Sequence, residues 1–401
     1  MIDRIKGLLD NPEKIAIFLK SYDWKVAFDG LDPTIVIMKC IRLGIRSSVV
    51  KVIIDFLNER KMEVTLNKYT SKSYDLIGGG PQGSLIGQLL YIIGSDDVAD
   101  DVTPEDKYKY IDDLVVLDHV QIEDKLIEYN VFQHVPSDFP TGGRFLPSTT
   151  FKSQNINNSI AKWTEENKMV INESKSKHMV ITKSNERFST RISMNENIIE
   201  RTNKLKRLGV WINSSLTWDK HISEMYKKSY PRLKMLTMLK YVGAPKEDLI
   251  EIYSLYIRSF TEYCSTAFHS SLTSQLSNKI EQIQKTSLKV ILDVMYVDYP
   301  SALEMCGLQT LHERREQRSM SFALKCLKIP TNQDIFPLNP TEDTHLIRDR
   351  EKIKVNKART ESYRNSTIPY LQRRLNIYFS KAQVRSRKEA RTWKGGAERR
   401  P

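Results

Sequence analysis

The sequence predicts an α+β fold, with strand-like segments before about residue 219 and helices beyond it. Three observations carry this. Tyr108 to Leu117 has two apolar arms around a polar centre, Asp112-Asp113, the pattern of a β-hairpin with two aspartates at its tip. His178 to Thr182 is strand-like, and apolar residues then recur at helical spacing: Ile222, Met225, Leu233 and Leu236, then Leu249, Tyr253, Tyr256 and Phe260.

Taken in order, the first 22 residues are helical in pattern. Asp32 is placed to cap a helix that Pro33 opens, Val36, Ile37, Met38 and Ile41 fill, and Gly44 closes. A second helix runs from about Ser48 to Phe56. Met62, Val64 and Leu66 alternate with polar neighbours as in a half-buried strand. The run from Gly78 to Ser84 is a loop that opens a helix from Leu85 to Ile93. Residues 133–155, rich in Pro, Gly, Ser and Thr, read as a long surface loop, and Ile156, Ile160 and Trp163 resume a helix. Pro231 should kink or divide the helix that starts near 219. A later helix, Leu276 to Leu292, turns Ile280, Ile283, Leu288 and Ile291 inward, with Lys279, Lys285 and Lys289 between them. From about Arg348 the chain is strongly basic and reads as a solvated tail.

With 401 residues, 40% hydrophobic and 28% charged, the chain is long enough for two or three cores and is not a disordered polymer. No apolar run approaches the roughly 18 to 20 residues of a membrane span, and the N-terminus lacks a signal-peptide core. A soluble, intracellular protein without a membrane partner is expected. Cys40, Cys264, Cys306 and Cys326 are scattered, with no C-x-x-C pair, so neither a zinc knuckle nor a disulfide framework is indicated. The net charge of +13 suits a polyanionic partner.

Adjacent aspartates repel, and two divalent cations would relieve that repulsion. Mg²⁺ takes a few carboxylates together with substrate phosphates, and a pair of such ions can stabilise both oxygens of a phosphoryl transfer. About three carboxylates must converge for this, and Asp23, after the apolar run Ile15 to Leu19, is the third candidate. Asp-Asp pairs are also common at exposed turns, and Asp96-Asp97 and Asp100-Asp101 read as solvated pairs of that kind.

Tyr110-Ile111-Asp112-Asp113 resembles the Y-x-D-D signature of reverse transcriptases. Asp23-x-x-x-Ala27-Phe28-Asp29 resembles their first catalytic motif, and Gly80-Pro81-Gln82-Gly83-Ser84-x-x-Gly87 resembles the template- and nucleotide-positioning loop of the non-LTR retrotransposon (LINE-type) branch. The three occur in the family's order. Further likeness runs through Asn172-x-x-Lys175, Leu208-Gly209-Val210-Trp211, Leu216-Thr217-Trp218-x-x-His221-Ile222 and His312-Glu313-Arg314-Arg315, covering roughly residues 15–330.

The resemblance implies a reverse-transcriptase palm, a small antiparallel sheet with helices on one face, followed by a helical thumb and C-terminal arm. It implies a fingers remnant or linker at 1–14, palm at 15–207 with an insertion near 133–155, thumb and arm at 208–330, and a basic, partly disordered tail at 331–401. It further implies nucleotidyl transfer from dNTPs to a DNA primer on an RNA template, with two Mg²⁺ ions or, alternatively, Mn²⁺, and nuclear action. Asp23 and Asp112 would hold the metal with Asp113 assisting, and Phe28 would exclude a ribose 2′-hydroxyl. Gln82, Gly83, Ser84 and Tyr110 would line the substrate site, Lys175 would protonate the leaving pyrophosphate, and Arg60 would contact nucleic acid.

The pattern departs from the family in places. Only 22 residues precede Asp23, which implies N-terminal truncation; Gln88 stands where proline is usual and Tyr91 where phenylalanine is common; and 50 positions (163 − 113) separate Asp113 from Trp163. No upstream endonuclease is expected on this chain. An inactive relic that binds nucleic acid, or a basic helical scaffold, stays open as an alternative, and the oligomeric state is not legible.

Overall fold

The computed structural model describes residues 1–13, 15–81, 83–122, 127–128, 144–145, 147–183, 188–189, 192–195, 197–338 and 353–381. Gln82, most of 123–146 and the tail from 382 lie outside the described residues. The chain forms two compact units: one spans Pro12–Leu205, and the other joins Ile2–Asn11 to the chain from Lys206 onward.

Helix α1 (Ile2–Leu9) belongs to the second unit. The first unit opens with strand β1 (Ile15–Tyr22), every residue of which is buried. Here the helical reading of the first 22 residues is corrected for residues 15–22, because a short apolar run flanked on both sides carries no period that separates strand from helix. Helices α2 (Pro33–Arg42), α3 (Ser47–Leu57) and α4 (Leu85–Gly94) follow. Asp32 caps α2 by accepting from the N–H groups of Thr34 and Ile35, as its sequence signature requires. Then come β2 (Lys107–Tyr110), β3 (Asp113–Gln121), α5 (Pro147–Glu166), β4 (Lys177–Thr182) and β5 (Glu200–Arg201).

These strands make one sheet in the order β5-β4-β1-β3-β2. It is antiparallel except for the parallel edge pair β4–β5, so the expected sheet is right in kind but mixed at one edge. One face packs Ala16, Phe18, Tyr22, Leu114 and Val116 into a core with Val36 and Cys40 of α2, Val50, Ile53 and Leu57 of α3, Leu90 and Tyr91 of α4, and Ile160 and Trp163 of α5. Helices therefore cover this face, as expected. Ile17, Leu19, Leu117, Met179 and Ile181 are also buried, which explains why β1 reads as an unbroken apolar run rather than an alternating one.

Two other expectations change. Met62, Val64 and Leu66 are exposed, not half-buried; Met62 and Leu66 sit in two short ladders, Lys61–Met62 with Tyr74–Asp75 and Thr65–Leu66 with Tyr69–Thr70, and Val64 lies between them. Residues 147–155 belong to α5 rather than to a surface loop.

A hairpin of β6 (Lys204–Arg207) and β7 (Val210–Asn213) carries the chain across the boundary at Lys206. Helix α6 (Asp219–Tyr241) runs unbroken through Pro231, so the proline does not divide it. A missing N–H forfeits one ladder bond, and the amphipathic packing of Ile222, Met225 and Leu236 outweighs that loss. Helices α7 (Lys246–Ile252), α8 (Ser274–Leu292), α9 (Tyr299–Met305) and α10 (Leu311–Cys326) complete the bundle, and Ile280, Ile283, Leu288 and Ile291 all face its core. Part of the expected tail is packed structure: a helix over 367–381 buries Leu371 and Leu375 against Ala323, Cys326 and Phe336. The N-terminal helix is fastened to this segment, since Asp3 accepts from the Ile368 N–H at 2.7 Å and Asp10 from the Arg359 and Thr360 N–H groups at 2.7 and 2.8 Å.

Candidate active site

The sheet register decides where the aspartates stand. β1 and β3 pair antiparallel with Tyr22 opposite Leu114, so Asp23 and Asp113 are each one step beyond that pair. β2 and β3 close as a hairpin in which Tyr110 pairs with Asp113, leaving Ile111 and Asp112 as its two-residue turn. Ile111 takes a left-handed φ of 53°, a conformation that two-residue hairpin turns require at their first central position. The fold thus carries Asp23, Asp112 and Asp113 to one end of the sheet.

A second turn secures Asp23. The Asn172 N–H donates to the Asp23 carbonyl at 2.7 Å, the Asp23 N–H donates to Ser176 Oγ at 3.1 Å, and Trp24 forms a bridge with Ile171. This turn, Asn172 to Ser176, carries the exposed Lys175 and so sets it beside Asp23 in the backbone. Sequence reading singled out Lys175 but not Ser176, whose hydroxyl binds Asp23 across 153 residues of chain.

Asp23 is half-buried and Asp112 exposed, and among the described residues neither carboxylate has a hydrogen-bond or ion-pair partner. Some other carboxylates of this unit are neutralised. Asp97, read as solvated, accepts from Lys39 Nζ at 2.6 Å and from Trp163 Nε1 at 2.8 Å. Asp100 pairs with Lys107 at 2.8 Å. Lys109, in the hairpin arm, caps the end of α4 by donating to Ser95 O at 2.5 Å, and burial pushes its pKa down to about 8.

As a test of fit for divalent cations, the donors at the sheet end are hard carboxylate oxygens on rigid strand ends. Among the described residues no three His, Cys, Asp or Glu side chains lie close enough to hold an ion by themselves. The three-carboxylate cage expected from sequence is therefore not preformed. Mg²⁺ is held through one or two carboxylates with water and substrate phosphates completing its shell, so the residues fit in kind.

The glycine loop lies against the first motif. Gly80 N–H donates to the Phe28 carbonyl at 2.7 Å and Gly79 N–H to Leu31 at 2.8 Å. A Cβ on Gly79, which has φ +82°, would stand 2.9 Å from Asp29 Cα, so no other residue fits that approach without movement. Ser84 caps α4, accepting from Gly87 N–H at 2.9 Å and donating to the Pro81 carbonyl at 3.0 Å, which commits its hydroxyl to the loop. Gly83, at φ +81°, is exposed with open space around it.

Arg60 has a structural task that the sequence did not show. Its Nη2 donates to the Gly78 and Gly79 carbonyls at 2.8 and 2.5 Å and its Nε to Leu57 at 3.2 Å. The guanidinium braces the loop from beneath, with these donors spent on backbone rather than offered to a phosphate. Tyr110 is exposed beside the hairpin tip.

Phe28 is half-buried and rests on Tyr91 of α4, the ring centroids 4.9 Å apart and tilted by 32°. Tyr91 itself is fully buried. Its phenol is held protonated first by burial and then by the Asp112 charge, both of which push its pKa up. The Asp tip, Tyr91 and Phe28 therefore form one neighbourhood that sequence reading treated as separate motifs.

No family model matches the chain. Over 253 residues it is 24% identical to the RNA-directed DNA polymerase from the mobile element jockey of Drosophila melanogaster, a match covering 60% of this chain and 24% of the relative. The chain thus spans about a quarter of that relative's length. A solved structure of telomerase from Candida albicans, in complex with a fragment of telomeric RNA, overlaps 83% of this chain and 52% of its own at 12% identity, with a TM-score of 0.34, below what establishes a shared fold. Over its matched residues, the chain is similar to part of a mobile-element RNA-directed DNA polymerase.

Proposed function

We propose that this chain is the palm and thumb portion of an RNA-directed DNA polymerase of the non-LTR retrotransposon type. It would transfer a nucleotidyl group from a dNTP to the 3′-hydroxyl of a DNA primer laid on an RNA template. The observation that carries this reading is the register that brings Asp23 and Asp112, 89 positions apart (112 − 23), to one end of the sheet, with neither carboxylate paired among the described residues. Carboxylates without partners among the described residues, one beyond a strand end and one in a tight hairpin turn, suit a task that needs charge held in reserve. The jockey similarity and the net charge of +13 support the same reading.

Asp23 and Asp112 would hold the metal, with Asp113 assisting from the base of the turn. Bound there, two Mg²⁺ ions, or Mn²⁺ in their place, would ease deprotonation of the primer hydroxyl and neutralise charge on the triphosphate. The chain's own residues do the rest. The Phe28 ring occupies the space that a 2′-hydroxyl would need. Gly83, lacking a side chain, lets the loop backbone approach the nucleotide, and Gln82 and Ser84 flank it. Tyr110 contacts substrate beside the tip. Lys175, placed next to Asp23 by the Asn172–Ser176 turn, delivers a proton to the departing pyrophosphate. Such an enzyme would act in the nucleus.

The test is primer extension on an RNA template with dNTPs and Mg²⁺, using Asp112→Asn as control. Metal-dependent extension lost in the variant is the expected result. No extension by the wild-type chain would leave a nucleic-acid-binding relic instead.

A further inference from the structure

We propose that Tyr91 is a positioning residue for sugar selection, its ring fixing where the Phe28 ring stands and hence which nucleotides the site admits. This rests on the polymerase reading above.

Phe28 is half-buried, so a ring asked to reject one hydroxyl has an open side and a backing side. The backing is Tyr91, at 4.9 Å between centroids and tilted by 32°. An aromatic ring yields to pressure by rotating about its side-chain bonds, and a flat wall behind it removes that escape. Both members of the pair are held by their backbones. The Phe28 carbonyl accepts from Gly80 N–H at 2.7 Å, and the Tyr91 carbonyl accepts from Ser95 N–H and Oγ at 3.0 and 2.6 Å. Ser84 caps the helix that carries Tyr91, and Arg60 braces the loop that carries Gly80's neighbours.

The Tyr91 hydroxyl sharpens the case. It is buried with no hydrogen-bond partner among the described residues. A buried phenol without an acceptor costs stability, so hydrogen bonding does not account for an aromatic ring at this place. What the ring touches does. Removing the hydroxyl while keeping the ring should leave selection intact, whereas removing the ring should not.

The experiment measures kcat and KM for a dNTP and the matching ribonucleotide in RNA-templated primer extension by the whole chain. It compares the wild type with Tyr91→Phe, Tyr91→Leu and Tyr91→Met, the methionine filling the buried volume without a flat face. Tyr91→Leu and Tyr91→Met should lose discrimination by about tenfold, the scale on which pocket shape separates substrates differing by one small group. The change should fall mainly on the ribonucleotide KM. Tyr91→Phe should stay within about twofold of wild type, since its ring is unchanged. Extension with unaltered discrimination in either ring-less variant would overturn this proposal and leave the polymerase reading standing. A loss in Tyr91→Phe equal to that in Tyr91→Leu would also overturn it, because the hydroxyl and not the ring would then act. Absence of extension by the wild type with either nucleotide would overturn the polymerase reading and this proposal with it.

Discussion

Acids in the interior of the helical unit and acids at the end of the sheet meet opposite surroundings. In the helical unit, Glu262 is buried and receives Arg314 and Arg318; Glu281 takes the Tyr299 hydroxyl and the Leu311 N–H; Glu316 takes Arg374, the Tyr370 hydroxyl and His269. Each is saturated, and for Glu316 these donors overcome burial to pull its pKa down to about 2. In the sheet unit, Asp23 and Asp112 stand at strand ends with no such partners among the described residues. Saturated acids hold helices together. Unsaturated acids keep charge available for a cation or a substrate.

If that contrast is right, substitutions should separate the two kinds of acid. Asp23→Asn and Asp112→Asn should abolish RNA-templated extension, by at least about 100-fold in kcat, with little change in melting temperature. Glu262→Ala should do the reverse. Its loss leaves the half-buried Arg314 guanidinium and the exposed Arg318 without their acceptor, so unfolding free energy should fall by about 1 to 3 kcal/mol in urea titration. A Glu262 variant as stable as wild type would remove the structural half of the comparison.

Arg60→Ala probes the boundary between the two classes, because Arg60 serves the candidate site without facing a substrate. Losing its bonds to Gly78 and Gly79 should cost about 1 to 3 kcal/mol and raise the dNTP KM while leaving kcat nearly unchanged. A weaker salt dependence of nucleic-acid binding, with KM for dNTP unmoved, would instead return Arg60 to phosphate contact.

A further contrast is in pH. Burial pushes both His178 in the sheet unit and His221 in the helical unit down to about 4. Each ring is neutral when folded but regains its ordinary pKa near 6.5 on unfolding. The unfolded chain therefore binds more protons between these values, and stability, full above pH 6.5, should fall as pH drops toward 4. A melting temperature that stays flat from pH 7 to pH 5 would contradict burial of both rings as neutral species.

What the sequence disclosed, and what it hid, follows from the range of each signal. Asp32-Pro33 announced the start of α2 and the polar break in Tyr108–Leu117 announced the hairpin, because caps and turns are decided by neighbours in the chain. Asp97 was misread as solvated because its partners, Lys39 and Trp163, lie 58 and 66 residues away. The bracing role of Arg60 was hidden for the same reason, its acceptors being carbonyls that a sequence cannot show to be nearby. Pro231 in a continuous helix shows tertiary packing overriding a local rule. Of the candidate site, residue types and order were legible, while the Asn172–Ser176 turn behind Asp23 and the Tyr91 wall behind Phe28 required the fold.

The account depends on Asp23 and Asp112 jointly holding a divalent cation. Mn²⁺ binding followed by electron paramagnetic resonance, on the whole chain with primer, RNA template and dNTP, reads this without requiring turnover. Tight binding in the wild type and in Asp75→Asn, a change on an exposed ladder, with loss in both Asp23→Asn and Asp112→Asn, is the predicted result. Equal Mn²⁺ binding in all four proteins would contradict it.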